Sequence, residues 1–200
     1  MTPWFLGISF LISSSLAGII LVFLISGSLP IFEKYGWEFI FGEEWYVGET
    51  YGALPMIYGT TVVTGIALGI ALPLGIGTAV VTSEVVGRRM RYILKSVMEI
   101  MAGVPGIVYG LLGMLLVTTW IRDLFGLVDG NCLLTAGLLL GVMILPTVMT
   151  LSEDAIHVVP NFYREQAYAL GLQTHEVIIY AVLPQAIPGI LGAIFLGTTR

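Results

Sequence analysis

Charge is scarce in this 200-residue sequence: 10% of its residues are Asp, Glu, Lys or Arg, while 57% are hydrophobic. Soluble domains carry about 25% charged residues, so the chain lacks the polar groups to cover a surface facing water. A soluble enzyme, a disordered protein and a secreted disulfide scaffold are excluded together, and membrane lipid is the expected solvent. Cysteine is almost absent. Cys132 stands alone, which leaves no intrachain disulfide and no thiolate cage; in its apolar run it reads as a small filler. Lys and Arg together number eight and form no patch suited to nucleic acid, so no nucleic-acid partner is expected.

Nucleotide and catalytic motifs are missing too. Lys34 and Lys95 are the only lysines, and neither follows a glycine, so no Walker loop is present to cradle ATP phosphates. Gly75 and Gly77 begin a G-x-G that has no third glycine. Neither H-E-x-x-H nor G-x-S-x-G occurs, and His157 and His175 stand apart in a polar segment without metal-ligand spacing. No catalytic residues, no cofactor, no metal and no enzymatic activity are expected.

What the chain does have is long uncharged stretches, at 1–32, 50–83, 100–121, 130–152 and 177–199. A spanning helix needs about 20 apolar residues, and these runs are continuous rather than alternating, which favours helices over barrel strands. Helices are expected at 4–25, 56–82, 97–120 and 133–151, with a fifth beginning after Leu183. The first run is longer than a signal-peptide core and no basic residue precedes it, so it reads as a retained anchor. The expected fold class is an all-α polytopic membrane bundle of about five helices. Residues 1–55 would form an anchor helix with an outer loop, and 56–200 the main transmembrane domain.

Loop charges give an orientation. Arg88, Arg89, Arg91, Lys95 and Arg164 fall on one side by parity, and Lys34 and Arg122 on the other. The positive-inside rule then puts the amino terminus in the cytoplasm of a multi-pass protein of the cell membrane. The glutamate-rich segment 33–49 faces outward. Gly65/Gly69, Gly106/Gly110 and Gly137/Gly141 have the four-residue spacing that lets helices approach closely. Pro73, Pro105 and Pro146 interrupt apolar spans, and each frees a carbonyl that a neighbour must satisfy.

The segment 153–188 is polar yet contains an amphipathic stretch from Tyr163 to Leu170. Tyr163, Ala167 and Leu170 share one helical face, with Arg164, Glu165 and Gln166 elsewhere. Gly171 follows where a helix stops, and Leu183-Pro184 and Pro188-Gly189 are expected to break the chain before it re-enters the membrane. Such a helix either lies on lipid headgroups or docks into a groove on a cytosolic partner.

Glu165-Gln166-Ala167, then Gly171 and Leu183-Pro184, resembles the EAA loop of the binding-protein-dependent ABC importer permeases. Gln166 stands where that pattern has alanine, and Ala181 where it has isoleucine. The stretch from Glu99 through Ala102-Gly103-Val104-Pro105 to Tyr109-Gly110 resembles the E-x-L-A-G-I-P-S-V-V-Y-G of the phosphate permeases, with Gly106 replacing the serine. Residues 52–60, 73–77, 143–147 and 159–160 fit the same family, so the likeness covers roughly 50–200. The detail is nearer the PstC type than the PstA type.

The resemblance implies the type I ABC importer permease fold. It also implies that the chain moves inorganic phosphate with a second, PstA-like permease subunit, a cytosolic ATPase dimer and an extracytoplasmic phosphate-binding protein. Glu165, Ala167, Gly171, Leu183 and Pro184 would belong to the ATPase-coupling loop. A fifth helix starting at Val177 would leave Arg200 as a snorkelling outer flank. But Arg200 matches the arginine of an R-A-x-G-E stretch at which the family continues, so the domain is expected to be incomplete here, with the fifth helix cut near the bilayer midplane. A guanidinium fork at that depth suits a tetrahedral oxyanion on its path. A permease for molybdate, tungstate or sulfate is the alternative, then a channel subunit or an intramembrane enzyme. Glu99 is read either as a solvated helix end beside Lys95 or as a carboxylate of the gate.

Overall fold

The computed structural model describes residues 3–199. Five helices among the described residues are long and apolar enough to cross a membrane: Gly7–Tyr35, Leu54–Val85, Gly106–Phe125, Leu133–His157 and Thr174–Thr198. The chain falls into two compact units, divided between Gly59 and Thr60 within the second of these helices.

In the first unit, α1 (Pro3–Tyr35) is uncharged until Glu33 and Lys34 in its last turn, and its described span buries nothing within the chain. After α2 (Glu38–Phe41) comes a two-stranded antiparallel hairpin, β1 (Trp45–Tyr46) paired with β2 (Thr50–Tyr51). Trp45 and Tyr35 both set their rings edge-on to Tyr51. The glutamate-rich loop therefore has its own small aromatic anchor.

The second unit is built around α7 (Leu133–His157), the most buried helix. Helix α3 (Leu54–Val80) lays Ala67, Ala71, Gly75 and Ala79 along one stripe, and these are its buried residues. Across from them, a Cβ on Gly137 would lie 2.6 Å from Ile66, and one on Gly141 would lie 3.2 Å from the Ala67 carbonyl oxygen. Small residues on both helices thus bring the two backbones together, as packing in lipid favours. Of the three expected glycine pairs only Gly137/Gly141 is used in full. Gly65, Gly69 and Gly110 face open space, while Gly106 lies near Met143.

Two expected boundaries are corrected. The third crossing is not one helix over 97–120. Helix α4 (Arg88–Gly103) ends at an extended Val104, and α5 (Gly106–Leu112) begins after Pro105. The proline pushes the residue before it out of helical geometry, and glycines flank the break. A π-turn (Gly113–Val117) then joins α5 to α6 (Thr118–Phe125). The whole path runs antiparallel to α7: Lys95 pairs with Glu153, Gly106 sits by Met143 and Gly113 packs on Leu139.

The fifth span is the second correction. It does not begin after Leu183, and Pro184 and Pro188 do not form an elbow. The span is continuous from α9 (Thr174–Val177) through a π-turn (Ile178–Val182) into α10 (Leu183–Thr198). Pro184 directly follows the π-turn, where the Leu183 N–H already reaches back five residues to the Ile178 carbonyl, so its missing N–H falls where the regular ladder is interrupted. Ile178, Val182, Ala186, Ile190, Ala193 and Gly197 form a buried stripe. Packing of that stripe outweighs the local effect of Pro188, which lies inside the helix. The expected loop of 153–188 therefore shrinks to the residues around α8 (Asn161–Ala169), between the end of α7 and the start of α9.

Candidate functional site

Helix α8 caps the charged end of the second unit. Ala167 is 5% exposed and belongs to the core cluster with Ile156, Val159 and Val177. An alanine there lets the short helix seat closely on the ends of α7 and α9. Glu165 and Gln166 stay exposed. Gly171 then turns the chain with φ +83°, and its N–H donates to the Tyr168 carbonyl. This left-handed conformation is what glycine supplies without a Cβ penalty. The next segment starts with a capping box, the Gln173 N–H donating to Glu176 at 2.7 Å. Leu183 is half-buried and Pro184 exposed, both inside the fifth span and away from α8 in sequence. Arg200 lies outside the described residues.

The amphipathic reading of this stretch needs two changes. Leu170 is 82% exposed, because the helix ends before it completes the apolar face. Arg164 turns inward instead of outward. Its Nε and Nη2 donate to the two carboxylate oxygens of Glu84 at 3.2 and 2.7 Å. Nη1 reaches the Val159 carbonyl at 2.6 Å and Nη2 the Ile156 carbonyl at 3.1 Å. One guanidinium thus joins α8 to the last turn of α7 and to the π-turn (Val81–Val85) that ends α3. The acceptors lie at and just beyond the end of α7; the Ile156 carbonyl also takes the Val159 N–H at 3.3 Å, and Arg164 adds a charged donor to it.

A second ion cluster lies beside the first. Glu153 is completely buried. Arg91 pairs with one of its oxygens and Lys95 with the other at 3.1 Å; Lys95 also reaches Asp154 at 2.7 Å. Arg91 and Lys95 are four residues apart, so α4 presents both from one face. A buried carboxylate is costly unless paired and hydrogen-bonded, and here each oxygen has a cation. The bond to Asp154, and secondarily Glu153, holds the Lys95 ammonium above its ordinary range, against the opposing effect of burial. Lys95 is therefore engaged by α7, and Glu99, with which it shares a helix face, is exposed.

Sequence reasoning missed the roles of Glu84, Glu153 and Arg164. One signal was available: acidic residues directly follow two of the uncharged stretches, where cations were also concentrated. The break in the third crossing has its own polar brace. The Tyr109 hydroxyl donates to the Met101 carbonyl at 2.8 Å, spanning Val104-Pro105.

Residues 71–199 match the family described as binding-protein-dependent transport system inner membrane component. The chain belongs to this family. It is 33% identical over 205 residues to the phosphate transport system permease protein PstC of Mesorhizobium japonicum, a match covering 92% of this chain and 63% of that protein. With PstC of Pasteurella multocida it shares 33% identity, over 88% of this chain and 62% of the relative. With PstC 1 of Mycobacterium tuberculosis it shares 35%, over 77% and 51%. The chain thus spans less than two thirds of the length of these curated relatives. An inward-facing structure of the MetNI methionine ABC transporter superposes with a TM-score of 0.55 at 20% identity, covering 73% of this chain and 66% of that one. The fold is that of an ABC importer permease, an all-α membrane bundle, and the family is one of transporter permeases.

Proposed function

We propose that this chain is a permease subunit of an ABC importer for inorganic phosphate in the cell membrane, with its charged end and its amino terminus in the cytoplasm. The observation that carries the docking part is α8. It is a short helix seated by Ala167, exposing Glu165 and Gln166, and ended by a left-handed Gly171. That is a short helix with an exposed polar face suited to a groove on a separate ATPase dimer, and the sequence has no Walker loop of its own. The names of the relatives support phosphate as the substrate, the family description supports a binding protein as a partner, and the sequence resemblance adds a PstA-like second permease. The orientation follows from the five cations grouped at this end.

Arg200 follows a span that runs from Thr174 to Thr198, long enough to cross a core of about 30 Å. It is therefore proposed to meet phosphate at the outer mouth of the path rather than at the midplane, where a planar fork can grip two oxygens of the anion in passing. Affinity there stays weak, since selectivity can rest in the external binding protein. The test is uptake of radiolabelled phosphate in cells lacking their own phosphate permease and supplied with this protein and its partners. Phosphate uptake inhibited by unlabelled phosphate supports the reading. Uptake blocked by molybdate, tungstate or sulfate but not by phosphate overturns the substrate. Arg200→Gln abolishes uptake and leaves the ATPase bound; retained uptake in that variant removes Arg200 from the path.

A further inference from the structure

Arg164 joins elements that are distant in sequence, eighty residues separating it from Glu84. We propose that Arg164 is a positioning residue that carries movement of α8 into the membrane spans, with Glu84 as its receiving group on the second span. The proposal rests on reading α8 as the ATPase-docking helix. Both side chains are largely withdrawn from solvent, 16% and 12% exposed, so salt screens the pair little. The contact is a two-pronged fork, which fixes direction as well as distance. Glu84 sits in a π-turn, an irregularity that occurs often where a helix serves function.

The link branches at the other side of the guanidinium. Arg164 also holds the carbonyls of Ile156 and Val159 at the end of α7. One turn before Ile156 lies Glu153, to which Arg91 and Lys95 tie α4 and the third crossing. A displacement of α8 therefore pulls on α3 directly, on α7 through its last carbonyls, and on α4 through Glu153. Covalent connection alone would couple α8 only to its chain neighbours, α7 and α9.

The test uses the assembled complex in proteoliposomes with its binding protein, comparing wild type with Glu84→Gln and Arg164→Lys. Glu84→Gln leaves Arg164 its α7 carbonyls and leaves Ala167 seated, so α8 stays in place while the charged link to α3 is lost. The expected result is normal assembly and ATP hydrolysis, with phosphate moved per ATP lower by about ten-fold in both variants. A second readout does not depend on substrate. Cys132 lies just before α7, at the end opposite Glu153, and its alkylation rate should change with ATP in wild type and not in Glu84→Gln. An unchanged transport ratio together with an ATP response kept in both variants overturns the proposal. Loss of assembly in both does so as well, since it would make the fork a brace only. A wild type whose Cys132 answers ATP while no phosphate moves faults the substrate reading and leaves the relay standing.

Discussion

The hydroxyl of Tyr109 and the carbonyl of Met101 are held 2.8 Å apart across the only break in the third crossing. The same carbonyl accepts the Val104 N–H at 3.2 Å, and the Val108 N–H bonds Pro105 at 2.9 Å. An interrupted helix leaves backbone groups that lipid cannot satisfy. Here a side chain from the following turn supplies one of the missing donors. The Tyr109-Gly110 end of the motif is thereby tied to its Met101-Ala102 beginning.

Replacing Tyr109 by Phe removes that donor and keeps the ring. The Met101 carbonyl retains one partner, so the expected loss is about 1 kcal/mol of stability. Thermal unfolding of the purified protein in detergent should register a modest fall, with assembly intact. A melting point equal to wild type would show that the hydroxyl bond contributes nothing to the break.

Glu153 predicts a larger effect with a defined pH dependence. Glu153→Ala opens a buried gap beside Arg91 and Lys95, but these cations keep 22% and 32% exposure and Lys95 keeps Asp154, so the expected cost is about 1–3 kcal/mol. The variant should therefore accumulate poorly in the membrane, whereas Asp154→Ala, at an exposed carboxylate, should accumulate normally. Lys95 has its pKa raised in the folded state above the ordinary 10.5. Its contribution is thus complete below that value and fades as the pH rises through the folded pKa. Stability measured from pH 7 upward should hold until it falls above about pH 10.5, and the fall should be smaller in Lys95→Met.

Sequence reading succeeded where one physical rule dominated. Hydropathy alone found five spans and bounded the second and fourth to within two turns, because lipid leaves few ways to bury twenty apolar residues. It failed where tertiary packing competed with local preference. Pro184 and Pro188 argue for an elbow, but a buried stripe from Ile178 to Gly197 and a π-turn keep the fifth helix continuous. Val104-Pro105 broke a run that hydropathy joined. Helical periodicity sets Arg164 apart from the apolar face and says nothing of a partner; only the fold brings Glu84 to meet it. The position of Gly171 was legible, since a glycine after a short helix has one common use.

Gly171 offers a test of conformation separate from volume. A Cβ there would meet nothing within 4 Å, yet φ is +83°. Asn tolerates this region better than other residues, so Gly171→Asn should retain most ATPase association. Gly171→Val should pay roughly 1–2 kcal/mol of backbone strain, misalign α8 and lose the ATPase in pull-down. Equal behaviour of the two variants would show that the left-handed turn does not position the helix.

The glycines of the α3–α7 crossing should separate by contact, although the sequence spaces them alike. A Cβ on Gly137 would come 2.6 Å from Ile66 and 3.3 Å from the Val63 carbonyl. One on Gly141 would press at 3.2 Å on the Ala67 carbonyl, which is backbone and cannot rotate away. Gly65 and Gly69 have open space around the same hypothetical atom. Alanine at Gly137 or Gly141 must therefore push the two helices apart along a stripe of small residues, and overpacking of this kind costs about 1–3 kcal/mol. Alanine at Gly65 or Gly69 meets no such obstacle and gains helix propensity of about 1 kcal/mol over glycine. The check is thermal unfolding in detergent of the four single variants. Gly137→Ala and Gly141→Ala should melt several degrees lower than wild type, and Gly65→Ala and Gly69→Ala at or above it. The reverse order would mean that the crossing described here is not the one that holds the second unit together.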